Sequence, residues 1–207
     1  MPGVAAIILA AGDSTRMGAP KALLADPDGR PFVARLVRTF VDAGVRAVTI
    51  VAGSQRAAIA AALAADTLPF PPALVTNPHP SRGQLSSLLV GLDAAVQPDV
   101  EAVLVTLVDV PLVAVSTVRQ VVAAWERTRA PVVRPAIGAR HGHPVLFDRA
   151  VFEELRRAPL DEGAKAVLRA HADEIVNVPV DDVGCVMDVD TPDDYRSMTG
   201  KTLPLRH

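Results

Sequence analysis

Val4-Ala5-Ala6-Ile7-Ile8-Leu9-Ala10-Ala11-Gly12-Asp13-Ser14-Thr15-Arg16-Met17-Gly18-Ala19-Pro20-Lys21 is the stretch that decides the fold. Its apolar run, Val4 to Ala11, reads as a strand covered on both faces, and it ends at Gly12 in a polar loop. In open α/β sheets, ligands bind beyond the carboxyl ends of strands, so this loop is the first candidate for a site. Small residues let the backbone approach a ligand, and N–H groups in a tight loop attract anions. Arg16 and Lys21 add fixed positive charge. The loop is not a Walker A motif, because Gly-Lys followed by Ser or Thr is absent. It also lacks Gly-x-Gly-x-x-Gly, the dinucleotide fingerprint.

Outward from this segment, short apolar runs alternate with helix-like stretches. Val4–Ala10, Ala47–Ala52, Ala73–Thr76, Ala102–Leu107 and Val132–Arg134 read as strands. Pro31–Ala43, Gln55–Ala64, Leu85–Val96 and Thr117–Arg127 read as helices between them. This alternation predicts an α/β three-layer sandwich around a mainly parallel sheet. The last third is less regular. It suggests a strand at His143–Phe147, helices at Arg149–Arg157 and Gly163–Ala172, and a strand at Ile175–Val180. Thr191-Pro192-Asp193-Asp194 is a strong helix start, with an N-cap, a proline in the first turn and acids at the positive end of the dipole. A length of 207 residues without a linker favours one domain, over residues 1–198, with a loose tail at 199–207.

Composition narrows the function classes. Net charge is −2, which argues against a broad nucleic-acid surface but leaves room for a local anion pocket. Aromatics are 3% of residues, too few for base-stacking platforms. The first apolar run is too short to span a membrane and lacks the front end of a signal peptide. The single cysteine, Cys185, can form neither an internal disulfide nor a multi-cysteine metal cluster, and a cytoplasmic setting is expected.

Three further segments carry candidate chemistry. Leu104-Val105-Thr106-Leu107-Val108-Asp109-Val110-Pro111 places an acid at the end of an apolar strand, where a carboxylate suits Mg²⁺ or caps a turn. Met187-Asp188-Val189-Asp190 places two acids two residues apart, facing the same way if extended. They either join Asp109 at a metal or belong to the acidic helix start. Asn77 to Leu92 is a loop leading into a helix. Its polar side chains can read a nucleobase edge, although Ser86 and Ser87 alone would read as helix caps.

Together the segments resemble, in order and over most of the chain, the nucleotidyltransferases of the nucleotide-diphospho-sugar transferase (Rossmann-like) fold. The match is closest to the molybdenum cofactor cytidylyltransferase-like, or MobA-like, group. The residues that carry it include the Leu9–Lys21 loop, Asn77-Pro78 with Gly83-Gln84-Leu85-Ser86-Ser87-Leu88, and Asp109-Val110-Pro111. They also include Gly142-His143-Pro144-Val145-Leu146-Phe147, Asp161-Glu162-Gly163-Ala164-Lys165 and Asp188-Val189-Asp190-Thr191-Pro192. The resemblance implies that Leu9, Ala10, Ala11, Gly12, Asn77, Gly83, Gln84 and Ser87 line a nucleotide pocket. It implies that Arg16 holds the outer phosphates and Lys21 the α-phosphate. Asp109 and Asp190, with Asp188, would hold Mg²⁺, and His143 and Lys165 would face the second substrate.

The implied reaction moves CMP from CTP onto the terminal phosphate of the molybdopterin cofactor and releases pyrophosphate. A phosphate monoester is largely dianionic near neutral pH and needs no general base. The difficulty is bringing anions together, which Mg²⁺, Arg16 and Lys21 would address. A molybdenum hydroxylase would be the recipient of the product, and no nucleic acid or membrane partner is expected. Three departures bear on the second substrate: Lys165 where Arg is commoner, His141 where Arg is usual, and Leu107-Val108 in place of Leu-Gly. Alternatives are an NAD(P)H-dependent oxidoreductase on the same fold, a guanylyltransferase using GTP, and a non-catalytic cofactor delivery factor.

Overall fold

The computed structural model describes residues 3–12, 17–68 and 70–203. Strand β1 (Val4–Ala10) is buried at every position, as its unbroken apolar run requires. It pairs in parallel with β2 (Ala47–Ala52) on one side and β4 (Ala102–Leu107) on the other, and β3 (Ala73–Thr76) extends the sheet beyond β2. Among the described residues the sheet runs β3-β2-β1-β4, then β7 (Val145–Asp148), β5 (Val132–Ile137) and β6 (Arg140–His141), with β8 (Val176–Pro179) on β5.

Strand alternation sends the β1 side chains into two layers. Ala6, Ile8 and Ala10 pack with α1 (Phe32–Ala43) and α4 (Val115–Thr128) through Phe32, Leu36, Val118 and Trp125. Ala5, Ile7 and Leu9 pack against α3 (Gln84–Ala95), α5 (Phe152–Arg157) and α6 (Lys165–Ala170). Helix α2 (Arg56–Ala64) joins the first layer through Ile59 and Leu63. A Cβ on Gly91 of α3 would lie 2.6 Å from Ile7 Cγ2 and 2.9 Å from Val51 Cγ2. That glycine lets the helix approach the sheet closely.

The last third departs from the simple parallel pattern. β7 (Val145–Asp148) is inserted antiparallel between β4 and β5 (Val132–Ile137). A two-residue β6 (Arg140–His141), not anticipated from sequence, turns back on β5. The short connections permit this, whereas a parallel neighbour needs a long crossover. β5 is longer than expected because Pro135 lies beyond Val132 and Val133, which pair with β7. β7 starts two residues late because Pro144 has no N–H to donate to a ladder. The helix expected at Arg149–Arg157 begins as a 3-10 turn at Arg149–Val151, capped by Asp148 accepting from Ala150 N at 2.8 Å. α6 starts after Gly163, whose φ of +67° is left-handed and cannot continue a helix. α7 (Pro192–Thr199) has the full capping box that Thr191 and Asp194 promised.

His171, at the end of α6, ties this irregular region together. Its Nδ1 meets Glu174 Oε1 and its Nε2 meets Glu154 Oε2 of α5, each at 2.9 Å. Ionised carboxylates only accept, so both ring nitrogens donate, as in the imidazolium. The hydrogen bonds to Glu174 and then to Glu154 hold the His171 pKa above its ordinary value. The resulting stabilisation is complete below the unfolded histidine value of about 6.5 and is lost as pH rises through the raised folded value. His171→Ala should therefore lower the melting temperature more at about pH 6 than at about pH 9. Thermal melts of both proteins at the two pH values check this, and an equal deficit at both would remove the charged bridge.

Candidate active site

β1 and β4 are parallel neighbours in register, with Leu9 opposite Leu107, so the two loops that follow leave the same sheet edge. Val108 N donates to Leu9 O at 3.1 Å and closes the gap between them. One loop carries Ala11 and Gly12 and the other carries Asp109. The third segment arrives from the far end of the chain. Val189 N donates to Asp109 O at 2.8 Å, laying residues 188–190 beside Asp109. The α7 cap then fixes Asp190, because Asp194 Oδ2 accepts from Asp190 N at 3.1 Å and Thr191 N at 2.8 Å. The acidic cluster thus divides its work: Asp194 serves the helix start, and Asp190 is left to face the cleft.

Lys21 opens a 3-10 turn (Lys21–Leu23) anchored by buried Ala22 and Leu24. Its Nζ donates to Asp109 Oδ2 at 2.9 Å and to Asp190 Oδ1 at 2.5 Å. Burial by itself lowers the Lys21 pKa, but the hydrogen bonds to Asp190 and Asp109 and their charges outweigh it, so the net displacement is upward. The ammonium is firmly held. Both carboxylates lie within reach of one cation, and the other oxygen of Asp109, Oδ1, is buried and, among the described residues, without a hydrogen-bond partner. Asp188 stays exposed, and its pKa is raised by partial desolvation and then by the Asp109 charge. Among the described residues, no group of three or more His, Cys, Asp or Glu is arranged to cage a metal.

A cavity of about 290 Å³ opens on this edge. Leu9, Ala10, Ala11 and Gly12 line one side, Lys21, Asp109 and Asp190 another, and Gly83, Gln84 and Ser87 a third. Gln55, at the carboxyl end of β2, also lines it and was not anticipated from sequence, although its position just beyond a strand end carries the signal. Arg16 lies outside the described residues, as do Asp13, Ser14 and Thr15.

Asn77 does not line this cavity. It is buried and works as a brace. Its Nδ2 donates to Ser86 Oγ at 2.8 Å and Ser87 Oγ at 2.9 Å, and its Oδ1 accepts from His79 N at 2.8 Å. The serines accordingly do not cap α3, whose N-cap is Gly83 without a side-chain cap. Gly83 adopts φ +90°, a left-handed region that favours glycine.

A second cavity of about 450 Å³ adjoins the first, sharing Leu9, Gly83, Gln84 and Leu107. It holds His143 and Lys165, with His141, whose departure from the family pattern bears on the second substrate, and with Arg134 and Leu160, which the sequence did not single out. Burial lowers the His143 pKa and favours the neutral ring. Its Nδ1 lies 3.4 Å from Val105 O, an acceptor, so Nδ1 carries the proton. Among the titratable site residues described, the structure therefore sorts Lys21, Asp109 and Asp190 into one cavity and His143 and Lys165 into the next.

Known proteins match this chain closely. The family described as MobA-like NTP transferase domain matches residues 6–175. Nicotine blue oxidoreductase from Paenarthrobacter nicotinovorans is 32% identical over 203 residues, covering 92% of this chain and 94% of that one. The bifunctional protein GlmU from Anaeromyxobacter dehalogenans is 36% identical over 130 residues, but this chain spans only 26% of it. Among solved structures, Rv0371c from Mycobacterium tuberculosis has a TM-score of 0.78 at 31% identity, with 96% of this chain and 98% of that one aligned. Rv0371c in complex with manganese aligns over the same shares, with a TM-score of 0.73 at 30% identity.

Removing the brace should loosen the site wall. Asn77→Ala leaves the amide of His79 and the Ser87 hydroxyl without this partner, at a cost of about 1–3 kcal/mol for buried groups. We expect a lower melting temperature and faster amide exchange across residues 78–87. Unchanged exchange there would show that the loop is held by other contacts.

Proposed function

Because this chain belongs to the MobA-like NTP transferase domain family, we propose that it is a metal-dependent nucleotidyltransferase moving CMP from CTP onto the terminal phosphate of the molybdopterin cofactor. The observation that carries the reading is the convergence of Lys21, Asp109 and Asp190 at the mouth of a cavity walled by backbone and small residues. Anionic phosphates entering this cavity meet the Lys21 ammonium. The wall formed by Gly83, Gln84 and Ser87 faces the nucleoside. Arg16 is proposed to hold the outer phosphates.

The residues suit a divalent cation. Mg²⁺ binds through one or two carboxylates plus substrate phosphates rather than an all-protein cage. Asp109 and Asp190 supply such a pair, with Asp188 nearby, and the unpartnered Asp109 Oδ1 is a free acceptor. When bound, the cation supplies charge neutralisation and Lewis acidity at the phosphates. The manganese complex of Rv0371c supports divalent metal binding in a similar protein. The protein's own part is positioning. Lys21 can exchange its carboxylate partners for the α-phosphate, and the shared wall of the two cavities brings an acceptor phosphate into line with it. His143 and Lys165 are proposed to bind the acceptor. The choice of CTP over GTP and of molybdopterin as acceptor rests on the family resemblance, and a molybdenum hydroxylase is the proposed recipient of the product.

A second reading has a specific observation behind it, the similarity to nicotine blue oxidoreductase over nearly its whole length. On that reading the first cavity holds a nicotinamide cofactor, and the acidic pair needs another role. Calorimetric titration with CTP, GTP, ATP and NADPH, each with and without Mg²⁺, separates the two. We expect Mg²⁺-dependent binding of CTP above GTP. Binding of NADPH with no triphosphate bound would replace the transferase reading by the reductase. Asp109→Asn should lower metal-dependent turnover by at least about a hundredfold, or roughly 2.7 kcal/mol, while the thermal unfolding midpoint stays within a few degrees. Full activity in that variant would remove Asp109 from the metal site.

A further inference from the structure

The second cavity is built across the sheet. Val105 of β4 pairs with Val145 of β7, and β7 pairs with β5 through Phe147↔Val132 and Leu146↔Val133. Continuing that antiparallel register brings Arg134 opposite Val145. Side chains of one cross-strand row share a face, so Val105, Val145 and Arg134 form a continuous floor. α3 and the residues around Leu160 and Lys165 close over it. Each strand step is about 4.8 Å, so Arg134 lies roughly 10 Å across the sheet from Val105, itself four residues before Asp109 on the β4 side. The cavity is therefore a slot with the reacting edge at one end, an apolar middle and a guanidinium at the other.

Arg134 is held ready for a ligand. Its Nε donates to Asn177 Oδ1 at 2.8 Å on the paired strand β8, which fixes the plane of the guanidinium. Neither Nη nitrogen makes a hydrogen bond or ion pair among the described residues. Burial lowers the Arg134 pKa, as expected of a cation short of its hydration and of a counter-charge. His141 beside it has its own pKa lowered by burial and then by the Arg134 charge, which favours a neutral ring there. Of the acids lining the slot, Glu162 is engaged by Arg169, and Asp161 sits in the roof loop near Lys165. Among the described residues no carboxylate pairs with Arg134.

Resting on the reading of this cavity as the acceptor site, we infer that Arg134 recognises a second anionic group on the acceptor, at the end of the slot remote from the phosphate that reacts. The acceptor class is an elongated phosphomonoester with a flat or apolar body and an anion or strong acceptor at its far end. A short phosphomonoester would fill the reacting end and leave Arg134 unpaired. Arg134 is thus a specificity residue: it meets the substrate but not the reacting atoms.

The test uses two probes, 2-naphthyl phosphate and 6-carboxy-2-naphthyl phosphate, titrated calorimetrically into the protein saturated with Mg²⁺ and a non-hydrolysable CTP analogue. We expect the carboxylate to tighten binding about tenfold in the natural protein, the order of one charge-assisted fork. Arg134→Gln should abolish that advantage while leaving affinity for the uncharged-tail probe and for the CTP analogue unchanged. Arg134→Lys should retain part of it, and thermal melts establish that both variants are folded. An equal carboxylate advantage in the natural protein and in Arg134→Gln overturns the assignment of Arg134, as does the lack of any advantage in the natural protein. If neither probe binds although the CTP analogue does, the reading of the cavity as an acceptor site fails, and the inference with it.

Discussion

The parallel pairing of β1 with β4 is the constraint on which the site depends. Because Leu9 and Leu107 stand opposite each other, the chain leaves the sheet at the same level in both strands. Lys21 and Asp109, 88 residues apart in sequence, are thereby brought within 2.9 Å. Both strands are buried almost throughout, so a slip of one residue would turn every apolar side chain to the wrong layer. The register that satisfies the core is the register that assembles the cleft.

A second constraint is electrostatic. Two carboxylates held beside a partly buried lysine cannot remain without a cation, and the ammonium of Lys21 meets that need in the structure. The same geometry makes the trio responsive. On the proposed function, an entering polyphosphate would give Lys21 a new anionic partner and leave the acids to accept a metal. The unpartnered Asp109 Oδ1 leaves an acceptor beside the trio.

The antiparallel insertion of β7 helps build the second cavity, which Val145 and Phe147 line. It widens the sheet beyond β4 and places Arg134 and His143 on the face that α3 and α6 cover. Asn77 and His171 are the braces around it. One holds the loop at the shared wall, and the other clasps α5, α6 and the following turn beneath the roof. Neither lines a cavity, yet Asn77 holds Ser87 of the shared wall and His171 ties α5 to the end of α6.

The sequence by itself determined the layered α/β fold and the bounds of β1, β2 and β4, because strands buried on both faces leave unbroken apolar runs, and those of β3, an edge strand whose apolar run is short. It also determined the helix start at Thr191, where the capping side chains lie within four residues. It pointed to Lys21, Asp109, Asp190, His143 and Lys165 through their positions in motifs. Only the tertiary structure decided how these side chains are shared out. That Asn77 is a brace, that Asp190 rather than Asp194 faces Lys21, and that Arg134 ends a slot two strands away all follow from long-range pairing. Such pairings join residues far apart in the chain through backbone register and burial, and no local pattern of residues records them.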